Sequence, residues 1–153
     1  MAHFAKLGVD NVVLAVFAMD NITTMTNGGI EKEDIGIAHL IEHHGHENWR
    51  KCSYNTQAGV HLNGGTPFRA NYPSIGDYYS TEHDIFYSPR PSEVDGDLMN
   101  SHTLNTTTGI WQPPFGPPQL TTAQETAKIS YRWDESVWVA DNTKGWVLQA
   151  YPT

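Results

Sequence analysis

WRKCSYNTQAGVHLNGGTPFRANYPSIGDYY, Trp49–Tyr79, is the stretch whose reading decides the fold. Its first six residues alternate, with Trp49, Lys51 and Ser53 on one parity and Arg50, Cys52 and Tyr54 on the other. That period of two predicts a strand, though a polar one. Asn55 to Thr66 is a connection rich in glycine, with Gly59, Gly64 and Gly65 where the backbone needs positive φ or close approach. Pro67 forces Thr66 into an extended conformation, and Phe68 follows as the ring that anchors the loop to the body. Gly64, Gly65, Pro67 and Phe68 therefore read as a loop that turns sharply, stays put and places the rest of the chain.

Upstream, His3–Leu7 and Val12–Met19 flank the turn-rich Gly8-Val9-Asp10-Asn11, as in a β-hairpin. The second run is apolar on both parities and predicts a central strand covered on both faces. Asn21–Gly29 is a loop by composition. Glu31–His44 carries helix signals: Ile37, Leu40, Ile41 and His44 share a face, and Glu31, Glu33 and Asp34 suit an N-terminus. Gly45 is its stop.

Downstream, a weak internal repeat sets an apolar anchor seven residues before an aromatic across a polar turn. The pairs are Tyr79 with Phe86, Leu104 with Trp111, and Val139 with Trp146; Trp133 and Trp138 make a tighter version around Asp134-Glu135-Ser136. Each predicts a short hairpin, and isolated hairpins are marginal, so they must pack on one another or on a partner. Pro89-Arg90-Pro91 and Pro113–Pro118 separate the units as stiff, extended spacers. The fold class expected is α+β: an N-terminal antiparallel sheet with one covering helix over 1–88, then a proline-spaced, aromatic hairpin-rich arm over 89–153.

Composition agrees with short elements. The 153 residues are 39% hydrophobic, with 13 Gly and 9 Pro, and 5 Trp must supply much of the core area. A net charge of −8 with only nine basic residues, scattered, argues against nucleic-acid binding; it suits either solubility or docking to a complementary basic protein surface. Cys52 is the single cysteine, so no intrachain disulfide forms, and it reads as a small apolar strand residue. The eight-residue apolar run Val12–Met19 closes at Asp20 without a clean cleavage site, so we expect neither a signal peptide nor a membrane span.

No catalytic constellation is expected. His39 and His43, four apart, sit at metal-ligand spacing, with His44 and His46 beside them, but no HExxH accompanies them. These four are the candidate metal ligands, and a polar helix end is the competing reading. His61, His83 and His102 read as solvated turn residues, and Glu33-Asp34 and Asp95/Asp97 as solvated charges. No cofactor is expected. Trp133 and Trp138 read as core, while Tyr78, Tyr79 and Trp146 stay open between core and a sugar-stacking surface.

The chain resembles a group of small proteins of marine bacteriophages, chiefly cyanophages. The likeness is carried by Ala2–Leu7, Gly36-Ile37-Ala38-His39-Leu40, Ser53-Tyr54-Asn55-Thr56, Gly64–Arg69, Asn71-Tyr72, Ile75-Gly76, Tyr79 and Trp133-Asp134-Glu135. It covers nearly the whole chain and departs around His43–Glu47, where the group has a shorter Gly-Gly turn, and over Asn100–Gln124, which is more elaborated here. The resemblance implies a non-enzymatic virion structural protein, present in many copies and made in the host bacterial cytoplasm. It would decorate the capsid or associate with neck, tail or fibre by binding other virion proteins. Phe68, Arg69, Tyr72, Tyr78, Tyr79 and Trp146 are the candidate interface residues. The alternatives are a receptor- or glycan-binding module on a fibre and a metal-binding protein built on the His cluster.

Overall fold

The structure, a computed structural model, describes residues 1–21 and 28–151. The loop expected over Asn21–Gly29 lies mostly outside the described residues. The fold is α+β, and the chain divides into two compact units. One comprises Met1–Pro89 with Asn105–Ile110, the other Arg90–Leu104 with Trp111–Thr153.

The first unit opens with β1 (Ala2–Leu7) and β2 (Val13–Met19), joined through a 3-10 turn at Val9–Asn11. Helix α1 (Glu33–His44) and β3 (Trp49–Cys52) follow. The three strands form an antiparallel sheet in the order β2-β1-β3. The strand covered on both faces is thus β1, not β2 as its apolar run predicts. The His3 and Lys6 interruptions hide β1 from a hydrophobicity scan, whereas uncharged β2 keeps Leu14 and Ala18 exposed at the sheet edge.

One face of the sheet packs Ala2, Phe4, Met19 and Trp49 against Leu40 of α1. Gly36 lets the helix approach: a Cβ there would collide with the Phe4 ring. The helix stops where expected, with Gly45 left-handed at φ 64° and its N–H donating to Ile41 O at 2.9 Å. The other face gathers Ala5, Leu7, Val13 and Cys52 with Tyr79 and Phe86. The last two belong to β6 (Tyr78–Ser80) and β7 (Ile85–Tyr87), whose register pairs Tyr79 with Phe86, the cross-strand partners that the seven-residue spacing predicts. Between β3 and β6 lies a two-residue ladder, β4 (Thr56–Gln57) with β5 (Val60–His61).

β8 (Thr103–Asn105) and β9 (Ile110–Gln112) form the hairpin expected between Leu104 and Trp111. The second unit continues with α2 (Thr122–Thr126), β10 (Ile129–Trp133), α3 (Glu135–Ala140) and β11 (Trp146–Ala150). Two expected hairpins are absent there. Asp134-Glu135-Ser136 is a helix start, with Asp134 Oδ1 accepting from Ser136 N at 3.1 Å and Val137 N at 3.3 Å. Val139 then falls on α3, 73% exposed, and Trp146 pairs with Trp133 across β10–β11. An N-cap Asp competes with the turn reading of the same residues, and here it prevails.

Trp133 is buried among four rings: Phe115 at 5.5 Å, Trp138 at 5.7 Å, Trp146 at 5.4 Å and His102 at 5.6 Å. Phe115 comes from the proline segment, and its carbonyl accepts Trp146 Nε1–H at 3.0 Å. That segment is docked by its aromatic rather than running free as a spacer.

Candidate binding surfaces

The glycine-rich loop of the first unit is held by its own backbone. Thr56 is fully buried; its hydroxyl accepts from Phe68 N at 3.0 Å and its carbonyl from Tyr72 N at 2.9 Å. Gly59 N–H donates to Ala70 O at 2.9 Å, and Ala58 N–H to Asn71 Oδ1 at 2.8 Å. Gly59 and Gly64 have positive φ, as expected; Arg69 and Ala70 do too, at 53° and 63°, which no glycine marks in advance. His61, expected to be a solvated turn residue, accepts Asn63 and Gly65 N–H at Nδ1, both at 3.1 Å, in exposed hydrogen bonds. The connection is a fixed scaffold.

Arg69 explains why the loop reverses there. Its guanidinium donates to Glu33 Oε1 at 2.6 Å and Oε2 at 3.0 Å, to Asp84 Oδ1 at 2.7 Å and to Lys51 O at 2.8 Å. Glu33 Oε1 also accepts from Lys51 N at 2.8 Å. The outward N–H and C=O of Lys51 on edge strand β3 are thus satisfied by two side chains where a further strand would otherwise bond. Glu33, expected as a solvated charge, is the centre of this clamp. Burial alone would lower the Arg69 pKa, but the Glu33 hydrogen bond and charge outweigh it and the value is raised.

The interface candidates of this region divide by exposure. Arg69 is spent on internal partners, with its guanidinium 4.8 Å from the half-buried Phe68 ring. Tyr79 is buried, donates to Asp84 Oδ1 at 2.5 Å and lies under Arg50. Tyr78 stacks on Tyr87, ring centroids 5.8 Å apart. Tyr72 is exposed and meets the edge of His3 at 5.6 Å, and Tyr54, which spacing alone did not single out, meets the same imidazole at 5.2 Å.

The candidate metal ligands do separate jobs. His43 donates its Nδ1–H to His39 O at 2.8 Å and stacks on the His39 ring. His44 packs against Phe17 and Trp49, and His46 donates Nε2–H to Leu7 O at 2.6 Å. Among the described residues no three His, Cys, Asp or Glu side chains are grouped to hold a metal ion. Cys52 is buried in the sheet face that Tyr79 and Phe86 cover, and burial, opposed by the Arg69 charge, pushes its thiol up to about 12.

In the second unit, Glu135 is buried and fully bonded. It accepts from Ser101 N at 2.8 Å, Ser101 Oγ at 2.6 Å and Trp133 Nε1 at 3.0 Å. Burial raises its pKa, and those donors more than reverse the shift, so the carboxyl stays below its ordinary value. His102, expected to be solvated, is 7% exposed beside Trp133, and burial lowers its pKa. Sequence spacing offers no sign of the Ser101–Glu135 pairing, which joins residues 34 apart.

A groove of about 1010 Å³ opens over this network. Its lining holds five carboxylates, Glu93, Asp95, Asp97, Asp134 and Glu135, against Arg132 alone. Arg132 is held by Glu93 at 3.1 Å and Asp134 at 3.0 Å, and Glu93 Oε1 accepts Glu135 N at 2.7 Å. Asp95 and Asp97 stay exposed, and Val94, Leu98 and Val139 present aliphatic surface beside them. Trp146, the last interface candidate, is half-buried in the aromatic cluster.

No family model, curated protein or solved structure matches the chain. No helix among the described residues is long and apolar enough to cross a membrane.

Proposed function

We propose that this chain is a non-enzymatic structural protein of a bacteriophage virion. It serves as an accessory capsid-decoration, tail or fibre component that binds other virion proteins in multiple copies. The observation that carries the binding is the groove of the second unit. Val94 at the tip of its turn, Leu98 and Val139 offer aliphatic contact to a partner. Asp95 and Asp97 at their side set the sign of the partner. A basic protein surface would bury the aliphatics and neutralise those carboxylates, in keeping with a net charge of −8. The resemblance to the phage proteins supports the virion setting.

The test is purification of intact particles with quantitative mass spectrometry. The chain should copurify at a stoichiometry matching a symmetric site, and Leu98→Asp with Val139→Asp should lose incorporation while keeping the fold. Absence of the parent chain from purified virions rejects the proposal.

A further inference from the structure

A second surface, independent of the groove, lies on the first unit. Tyr54 and Tyr72 line a cavity of about 340 Å³ with Leu62, Ile110, Gln57 and Asp77. The volume is at the lower end for small-ligand sites. Both rings are exposed, Tyr54 at 57% and Tyr72 at 39%, yet neither is loose, because the His3 imidazole meets both. The Tyr72 backbone is tied to Thr56 O at 2.9 Å, and Asn71 beside it donates to Phe86 O at 2.9 Å. Rigid, amphipathic rings held in place lose little entropy when something stacks on them.

The chemistry of the lining selects the ligand. Asp77 is its one charged group, and the Asp77 Oδ2 already accepts from Ser74 N at 2.7 Å. Among the described residues no cation lines the cavity, so a phosphate or carboxylate would enter without a counter-charge. Among the described residues, the Tyr54 and Tyr72 hydroxyls and the Gln57 amide keep their hydrogen-bonding capacity for a ligand. Tyrosine faces carry negative quadrupole density, which favours the slightly positive C–H faces of a pyranose ring, while hydroxyls and an amide match its O–H groups. We infer that the Tyr54–Tyr72 cradle binds a neutral saccharide.

Saturation-transfer NMR on the whole chain tests this with cellobiose, lactose and N,N′-diacetylchitobiose, with glucose 6-phosphate as the anionic control. At least one neutral disaccharide should bind, shifting the ring resonances of Tyr54 and Tyr72, and glucose 6-phosphate should bind more weakly. Tyr54→Ala and Tyr72→Ala should each weaken binding by roughly three- to tenfold, the scale of one aromatic stacking contact. Cys52 protection from thiol reagents, unchanged from the parent, certifies the fold of each variant. The ring shifts are read on the unaltered chain, so they decide the matter even if a variant unfolds. The inference is overturned if no neutral disaccharide binds, or if binding leaves the tyrosine resonances unmoved. It is also overturned if Tyr54→Ala abolishes virion incorporation while no sugar binds, which would make the cradle a protein contact.

Discussion

Replacing Arg69 by Met tests whether the Glu33–Arg69 clamp holds the first unit together. Methionine keeps an apolar stem over Phe68 while removing every donor. Three acceptors lose a donor, Glu33, Asp84 and the Lys51 carbonyl, though Glu33 keeps the Lys51 N–H and Asp84 the Tyr79 hydroxyl. The Asp84 side chain is 59% exposed, so its share of the ion pairing is about 0.5 kcal/mol. Arg69 at 11% and Glu33 at 29% stand between an exposed pair and a buried one, for which about 3–5 kcal/mol is lost when one partner is deleted. A total of about 2–3 kcal/mol follows.

Cys52 provides the assay, being the single thiol of the chain and buried in the sheet face that Tyr79 and Phe86 cover. Its labelling by a disulfide reagent requires opening of the first unit. At one factor of ten per 1.36 kcal/mol, labelling in Arg69→Met should accelerate by roughly 30- to 150-fold. A direct electrostatic effect has the opposite sign, since the Arg69 charge lowers the thiol pKa and its loss would leave the native thiol less reactive. Glu33→Gln should show strong non-additivity with Arg69→Met. Labelling within threefold of the parent, or simple additivity of the two substitutions, would refute the clamp.

Gly109→Ala should destabilise the first unit by about 2–4 kcal/mol in denaturant titrations. Gly109 sits at φ 66°, and a Cβ there would lie 2.7 Å from Phe86 O and closer still to the Asn71 amide that bonds this carbonyl. The second unit should weaken on acidification in two stages, followed through tryptophan fluorescence. His102 has a lowered folded pKa, so its contribution is full above the unfolded value near 6.5 and fades as pH falls below it. Glu135 is also lowered, so its contribution persists until pH falls through the ordinary carboxylate range, about 4, and is then lost. Glu135→Gln should remove the second stage; an unchanged acid profile would count against the buried network.

Local signals reach a long way in this chain. The helix ends at Gly45 because a left-handed residue is needed there, and the Tyr79/Phe86 pairing follows from spacing across a polar turn. Helix α2 carries a local signal of its own: Thr121 and Gln124 make a capping box, visible in the sequence as Thr-x-x-Gln. The failures have physical causes. β1 carries His3 and Lys6 in a strand whose neighbours bury it anyway, so its hydrophobicity understates its position. Trp133-Asp134-Glu135 satisfies both a turn and an N-cap, and only the neighbouring β11 strand, which needs Trp133 as partner for Trp146, separates them.

Trp49–Tyr79 shows the division most clearly. By itself the sequence determines that this segment begins as a strand, turns on Gly59 and Gly64, and emerges stiff after Pro67, because each property depends on one residue and its immediate neighbours. That Arg69 faces Glu33, 36 positions earlier, is decided only by the tertiary structure. Charge pairing depends on which segments the folded backbone brings within about 3 Å, and on how much water it leaves there. The same holds for the Tyr54–Tyr72 cradle: its rings are 18 residues apart in sequence and share a cavity because His3, from the first strand, stands against both.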